Sequence, residues 1–435
     1  MNHDVGLIRN SEWYKDGPFK IVLFYRYLHI LDVEALRDEL LLLASGENML
    51  GRVLVSAEGL NGTLAAPADC MSRFIAVMTA DSRFSRVDWK YSDAMASVEA
   101  PFPCLNIRIV DSIIAPGKGS HGETIINSQI EYDESSFGGI KGGGIHLTAT
   151  EFHDAIDGVK EGKEGIIIDI RNKFESDIGL FEGAIPVNTN TYPETWKKLD
   201  QIIDSSEGGG DKTKPVYMYC TGGIRCEKAS AYLKGKGVNN VFQLEGGIHR
   251  YIEQYQDTDE NLFRGKNFVF DNSHRQAIKE VKSDAEVIGK CLYCSKPHDE
   301  YSGLSVCTVC RAMLLCCNEC QHNNIHPGEY HCHMHIHLKD CYFTVLERYS
   351  VAELIEQKRG LRLIEEHLAD NDDRSLKSLR TQRRTLRRQV AKIDARLQYL
   401  SEKGNLEYDN PKIENPQVAW WIKQQREQEQ LDVQT

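Results

Sequence analysis

Residues 19–30, FKIVLFYRYLHI, are apolar or aromatic at nearly every step and predict a strand. Asp32 follows as a helix cap, and Val33 to Leu43 carries apolar residues on more than one helical face. Arg52–Ser56 and Asn61–Ala65 predict two short strands joined by Ala57-Glu58-Gly59-Leu60. A second helix is expected at Cys70–Met78, capped near Asp69, then strands at Val87–Lys90 and Cys104–Val110. The order βαββαβ is the split βαβ of a ferredoxin-like α+β sandwich, placed at 19–115 behind an N-terminal tail, 1–18. Such a fold names no function. Tyr25, Arg26 and Tyr27 with Arg108 offer an aromatic and basic surface suited to single-stranded RNA. The plainer alternative has the tyrosines alternating between core and surface and the arginines merely solvated.

Residues 116–144 are rich in glycine and end in GGIKGGG, which reads as a linker. They do not form a nucleotide-binding loop, because no buried strand feeds them and no GK[ST] follows. From 145 to 256 the pattern changes. His146-Leu147-Thr148 leads into a helix at Ala149–Asp157, and Gly165–Ile170 (GIIIDI) is continuously apolar, as in a parallel sheet. That strand delivers Asp169 and Arg171 to its end. Further elements are a short strand within IGLFEGAIPVN, a helix at Trp196–Asp204, strands at Pro215–Cys220 and Val241–Leu244, and a last helix through Tyr255. Strands alternating with helices predict an open α/β layer with its ligands beyond the carboxyl ends of the strands. The chain is therefore expected to be a multidomain α/β protein.

Cys220 falls at such an end, in VYMYCTGGIRCEKASAY (Val216–Tyr232). Thr221, Gly222, Gly223 and Ile224 form a loop whose amides can point inward as an anion nest, and a helix starts directly behind it. The helix dipole, the convergent amides and the positive charge of Arg225 all favour a thiolate. A buried structural cysteine followed by a turn is the bland alternative, and it gains nothing from so electropositive a surround. Cys226, six residues on, either resolves an oxidised or persulfidated Cys220 as a disulfide or packs as a small helix residue.

At 435 residues the chain is long enough for two to four domains. Its net charge of -12 argues against non-specific nucleic-acid binding over the whole surface, while leaving room for a local basic groove. The N-terminus, MNHDVGLIRNSEWYKDG, has no apolar core of a secretory signal, and no apolar run approaches a membrane span. Of the 13 cysteines, Cys70, Cys104, Cys220 and Cys226 are scattered and the rest crowd between Cys291 and Cys341. An odd total with CxxC pairs points to reduced thiols and metal in a cytoplasmic setting.

Beyond a second linker, 257–290, the segment 291–345 carries Cys291-x2-Cys294, Cys307-x2-Cys310 and Cys317-x2-Cys320, with Cys316, Cys332 and Cys341 besides. Such spacing signals structural Zn2+, because each turn brings two thiolates to one tetrahedral ion. Interleaved pairing assigns Cys291, Cys294, Cys317 and Cys320 to one ion. A second ion would take Cys307 and Cys310 with Cys332 and Cys341, or with a histidine among His331, His333, His335 and His337. The module has little core of its own and is expected to need metal to fold. A redox cluster is the alternative.

In 350–406, Leu376, Leu379, Leu386, Val390, Ile393, Leu397 and Leu400 recur at heptad-like spacing amid Arg374, Lys377, Arg380, Arg383, Arg384, Arg387, Arg388 and Lys392. This predicts a basic helix forming a short coiled coil or hairpin. It is either solvated or a contact for an RNA backbone or an acidic partner. A polar tail, 407–435, follows, with Ala419-Trp420-Trp421-Ile422 placed to dock elsewhere. Oligomeric state is open.

Asp169-Ile170-Arg171, the Gly179–Ile185 segment, Cys220 with its loop to Arg225, and Leu244-Glu245-Gly246-Gly247 resemble the rhodanese homology domain. That resemblance implies persulfide chemistry at Cys220, with Arg225 helping to hold an anionic donor and Arg171 a structural partner of Asp169. YCTGGIRCEKASAYL together with EGLNGTLA (Glu58–Ala65) and the βαββαβ module resembles, more closely, the tRNA uridine hydroxylases and their eukaryotic rhodanese-domain relatives, over roughly residues 19–345. This implies oxygen-dependent hydroxylation of carbon 5 of the wobble uridine, with the loop cysteine essential and the tRNA anticodon loop as partner. No flavin or NAD motif is evident. Two other readings stand beside it: a sulfurtransferase passing persulfide sulfur to cyanide or a protein thiol, and a zinc-dependent scaffold whose rhodanese module only binds. The added polymer-binding module favours the first over the second, and the intact loop disfavours the third.

Overall fold

The computed structural model describes residues 19–93, 102, 104–114, 131–133, 135–190, 192–204, 211–255, 258–268, 277–280, 286–307, 312–323, 330–333, 346, 351–370 and 377–402. Two compact units result, Met1–Gly289 and Lys290–Thr435.

The first unit opens with β1 (Phe19–Tyr27), α1 (Val33–Gly46), β2 (Leu50–Ser56), β3 (Gly59–Pro67), α2 (Ala68–Ala80), β4 (Lys90–Asp93) and β5 (Leu105–Ile109). Asp32 caps α1 by accepting from the Ala35 amide at 2.9 Å. The sheet order is β4-β1-β3-β2-β5. Its first four strands are antiparallel in the split βαβ order, and β5 adds a fifth, parallel to β2. The strand expected at Val87–Lys90 starts only at Lys90, because Val87 closes a turn on Phe84 and sits in the core. Val22, Phe24, Val53, Val55, Leu60 and Leu64 point from one face into that core, with Leu36, Leu40 and Phe74 from the helices. The residues between them on each strand face the other way.

Next come β6 (Ile145–Leu147), α3 (Ala149–Lys160), β7 (Ile166–Asp169), α4 (Lys173–Ser176), β8 (Gly179–Phe181), β9 (Ile185–Pro186), α5 (Thr195–Asp204), β10 (Val216–Tyr219), α6 (Ile224–Gly235), β11 (Val241–Leu244) and α7 (Gly247–Tyr255). The sheet is parallel throughout, in the order β6-β11-β10-β7-β9. β10 is its centre, and apolar clusters on both faces bury it. The chain is thus a multidomain α/β protein whose second sheet is an open parallel layer built around this strand.

Two segments expected as linkers carry structure. Within 257–290, β12 (Phe263–Phe268) pairs with β8 and with β13 (Ala277–Glu280). FRGKNF lacks strict alternation, and Gly265 adopts φ 77 with a Cβ position only 2.2 Å from the Ile178 carbonyl, a close approach open to glycine alone. Within 116–144, residues 135–140 fold onto β1: the Tyr27 amide donates to the Gly138 carbonyl at 3.3 Å.

The second unit holds a hairpin of β14 (Tyr301–Val306) and β15 (Met313–Leu315), then α8 (Asn318–Asn323), α9 (Val351–Asp370) and α10 (Lys377–Glu402). The basic segment expected to form a short coiled coil or hairpin is two helices, with Arg380, Arg383, Arg384, Arg387 and Arg388 on α10. Ion pairs Lys358–Asp394 and Glu365–Arg387 run in opposite directions along them, so α9 and α10 are antiparallel. Among the described residues, no helix is long and apolar enough to cross a membrane.

Candidate active site

β10 ends at Tyr219 and hands Cys220 to the carboxyl edge of the parallel sheet, fully buried. The turn that follows needs its glycines. Gly223 adopts φ 96 and caps α6. A Cβ there would stand 2.8 Å from the Tyr25 hydroxyl, and one on Gly222 would stand 3.0 Å from the Leu23 side chain. The start of α7 fastens the loop from behind: the Ile248 amide donates to the Cys220 carbonyl at 2.9 Å and the His249 amide to the Thr221 carbonyl at 3.1 Å. Gly247 permits this approach, since its Cβ would meet the Cys220 carbonyl at 2.6 Å.

The Gly223 amide donates to Cys220 Sγ at 3.1 Å. Burial alone would push the Cys220 thiol up. A hydrogen bond from the Cys226 thiol, the charge of Arg225, and the amides of Arg225 and Gly222 outweigh it and bring the pKa to about 6. Burial and the adjacent Cys220 sulfur hold the Cys226 thiol well above its usual range. The pair therefore keeps one proton, on Cys226, and one charge, on Cys220.

Arg225 is not open to an anionic donor as expected. Its guanidinium forms a two-pronged pair with buried Glu175, Nη1 and Nη2 each at 2.7 Å, and Thr221 Oγ1 donates to the same carboxylate at 2.8 Å. Arg225 thus acts on Cys220 by charge rather than by reaching a ligand. Sequence reasoning missed Glu175, although Asn172-x-x-Glu175, a capping box at the start of α4, was a local signal for it. The Tyr192 hydroxyl fixes the Arg225 carbonyl at 2.8 Å, and Ile224 opens α6. Asp169 and Arg171 meet in a buried pair, with Nη2 to Oδ2 at 2.7 Å and Ser176 Oγ on the same carboxylate at 2.9 Å. Arg171 also donates to the Gly179 carbonyl, so it ties β7 to β8 beneath the loop.

The first sheet roofs the site, and this too lay beyond the sequence patterns. Tyr25, Arg26 and Tyr27 are buried, which corrects their reading as an RNA-facing surface. Tyr25 donates to Glu227 at 3.0 Å, a carboxylate also bound by His146 at 2.9 Å and Gln243 at 3.0 Å. Arg26 is spent on the carbonyls of Ser136 and Phe137. Lys90, fully buried, pairs with Asp88 at 2.8 Å and lies 5.0 Å from the Tyr25 ring centroid. The two remote stretches EGLNGTLA and CEKASAY meet directly, as Lys228 Nζ contacts both Glu58 oxygens at 3.0 and 2.9 Å. Ser112 joins that buried pair at 2.9 Å.

In the second unit, Cys291, Cys294, Cys317 and Cys320 bring their sulfurs within 4.8 Å of one another. Tetrahedral zinc with bonds of about 2.3 Å places its sulfurs roughly 3.8 Å apart. The Cys294–Cys317 separation of 3.5 Å matches that spacing rather than a disulfide. The donor set fits one soft, tetrahedral ion. Cys307 and Cys332, expected at a second ion, are buried nearby in the same cysteine-rich core, whereas Cys310, Cys341, His335 and His337 lie outside the described residues. The geometry supports one metal site among the described residues where two were expected.

Three family models match the chain: a UPF0176 acylphosphatase-like domain at residues 19–113, a rhodanese-like domain at 148–254 and a rhodanese C-terminal segment at 264–334. The tRNA uridine(34) hydroxylase of an Arthrobacter strain is 34% identical over 302 residues, covering 69% of this chain and 94% of that protein. The tRNA uridine(34) hydroxylase of Rhodococcus jostii is 33% identical over 304 residues, 70% of this chain and 98% of that protein. Rhodanese-like domain-containing protein 6 of Arabidopsis thaliana is 33% identical over 337 residues, 74% of this chain; the match spans about half of that longer relative, 53%.

Proposed function

Because the chain belongs to the rhodanese-domain family of the tRNA uridine(34) hydroxylases, we propose that it hydroxylates carbon 5 of the wobble uridine of tRNA, with Cys220 as the attacking thiolate. The observation that carries this reading is the Cys220–Cys226 pair, one sulfur charged and one protonated, in a loop roofed by a second domain's sheet. A thiolate of pKa about 6 is ionised at neutral pH and nucleophilic. Its sulfur would bond to carbon 6 of uracil while the carbon 5–carbon 6 electron pair moves toward the carbon 4 oxygen, leaving carbon 5 electron-rich. Dioxygen would supply the new oxygen atom. Loss of the carbon 5 proton would restore the ring double bond and break the carbon 6–sulfur bond, freeing Cys220. The second oxygen would leave as water, with two electrons from the Cys220 thiolate and the Cys226 thiol as they become a disulfide, one proton from Cys226 and one from solvent. An external thiol would then reduce that disulfide. A wobble base is already outside a duplex, so its presentation costs little unstacking.

No flavin or NAD enters this reading. We assign structural Zn2+ to Cys291, Cys294, Cys317 and Cys320, and a second ion to Cys307, Cys310, Cys332 and Cys341 or a neighbouring histidine. The Arabidopsis relative, matched over 74% of this chain, supports a likeness to eukaryotic rhodanese-domain members. Reduced thiols at Cys220 and Cys226, with the proposed tRNA substrate, support a cytoplasmic setting.

A second reading has one observation in its favour: the amides of Gly222, Gly223 and Arg225 that converge on Cys220 also suit the outer sulfur of a persulfide, and so sulfur transfer. One experiment separates the two. Purified protein is given tRNA with an unmodified wobble uridine under isotopically labelled dioxygen, and the nucleosides are weighed. Labelled 5-hydroxyuridine supports hydroxylation. Its absence, with thiosulfate sulfur passing to cyanide in a Cys220-dependent way, establishes sulfur transfer instead.

A further inference from the structure

The face of the first sheet that roofs Cys220 does not stop at the roof. Strand pairing puts Lys90, Leu23, Thr63, Arg52 and Asn106 in one row across all five strands. Tyr25, Asn61, Leu54 and Arg108 form the next row on the same face. At the β4–β1 end Lys90 and Tyr25 are buried and Leu23 half-buried, against the Cys220 loop. The β2–β5 half carries the exposed side chains of Arg52 and Arg108. Strands lie about 4.8 Å apart, so Arg52 stands about 10 Å across the sheet from Leu23, and Arg108 about 14 Å from Tyr25. The two arginines are diagonal neighbours, about 7–8 Å apart.

Neither has a carboxylate partner among the described residues, and no acidic residue lies in either row. Burial and the proximity of Arg108 lower the Arg52 pKa, which is what two guanidiniums sharing a face without a counter-ion produce. Such a pair spans the distance between neighbouring phosphates of an extended strand. Thr63, Asn61 and Asn106 line the same path with half-buried polar side chains.

We propose that this half-sheet is a docking surface for single-stranded RNA, with Arg52 and Arg108 holding two backbone phosphates adjacent to the nucleotide presented to Cys220. The inference rests on the tRNA reading above and adds to it the surface that holds the anticodon loop. The occupant is set by charge complementarity and by the continuity of this face with the roof of the cysteine loop.

The test is the salt dependence of binding between the full chain and a fluorescent anticodon stem-loop RNA. The proteins compared are wild type, Arg52→Gln/Arg108→Gln, the charge-retaining Arg52→Lys/Arg108→Lys, and Arg73→Gln on α2 as a control. Two lost single-strand phosphate contacts should reduce the slope of log affinity against log salt by about 1.4 and weaken low-salt binding about tenfold. The lysine pair and Arg73→Gln should keep the wild-type slope. An unchanged slope in the folded glutamine pair, or a wild-type protein that does not bind the RNA, overturns the inference. Binding is measured in a Cys220→Ser background as well. Arginine-dependent binding without hydroxylation would leave the surface standing and remove the function, and the converse would do the reverse.

Discussion

At the end of β10 one sulfur stands alone among amide donors and beside one thiol, whereas between Cys291 and Cys320 four sulfurs face one another within 4.8 Å. In the first setting the protein itself compensates the charge on sulfur, through the Gly223 amide, the Cys226 thiol and the charge of Arg225. The sulfur keeps its lone pairs for a substrate. In the second, no backbone nest could offset several thiolates at such short range, and only a cation makes the arrangement favourable. The difference teaches that cysteine chemistry in this chain follows from what surrounds the sulfur. One centre has the surroundings of a reactive thiolate and the other the donor set of a soft metal ion.

Replacing Cys220 with serine should lower modification activity by about a thousandfold or more, the scale of losing a nucleophile, while metal content stays at the wild-type level. A parallel fall in metal would break the separation between the two centres. Cys294→Ser or Cys317→Ser should do the opposite, with metal content falling on elemental analysis. Chelation should remove local stability of up to about 10 kcal/mol from the cysteine module, read as a lost thermal transition. The ultraviolet thiolate signal of Cys220 should survive both treatments.

Glu175→Gln leaves the Arg225 guanidinium without its carboxylate and should cost about 3–5 kcal/mol in denaturant unfolding. An effect near zero would show that water already shares that pair. The smallest expected effect sharpens the electrostatic account. The Cys220 thiolate should titrate with a midpoint at pH about 6. Because its folded pKa lies below the ordinary thiol value, the stability it contributes is complete above that ordinary value and is lost as pH falls through about 6. Cys226→Ala removes a hydrogen bond to the sulfur and should move the midpoint upward. A midpoint that stays put would transfer the credit to Arg225 and the amides.

Much of the reactive loop was legible because its chemistry is local. Cys220, the paired glycines and Arg225 lie within six residues, and positive φ at Gly223 is a demand a sequence displays openly. The same holds for Asp169 with Arg171 and for the interleaved CxxC pairs at Cys291–Cys294 and Cys317–Cys320. What the sequence hid is carried by contacts between distant segments. Glu175 lies fifty residues from the arginine it engages. Tyr25, Arg26 and Tyr27 look like a surface because a strand facing a second domain shows the same mixture of aromatic and charged residues as one facing solvent. Glu58 and Lys228 sit in two recognisable stretches 170 residues apart, and nothing in either announces that they form one buried ion pair. The linker reading of 257–290 failed for a related reason. β12 owes its place to Gly265 closing on β8 rather than to an alternating pattern.

The most direct test of the central claim is mass spectrometry of tRNA nucleosides from cells lacking the gene, complemented with wild type or with Cys220→Ser. The account predicts that 5-hydroxyuridine derivatives disappear in the null strain, return with wild type and stay absent with Cys220→Ser. Unchanged derivatives in the null strain, or full rescue by Cys220→Ser, would contradict it.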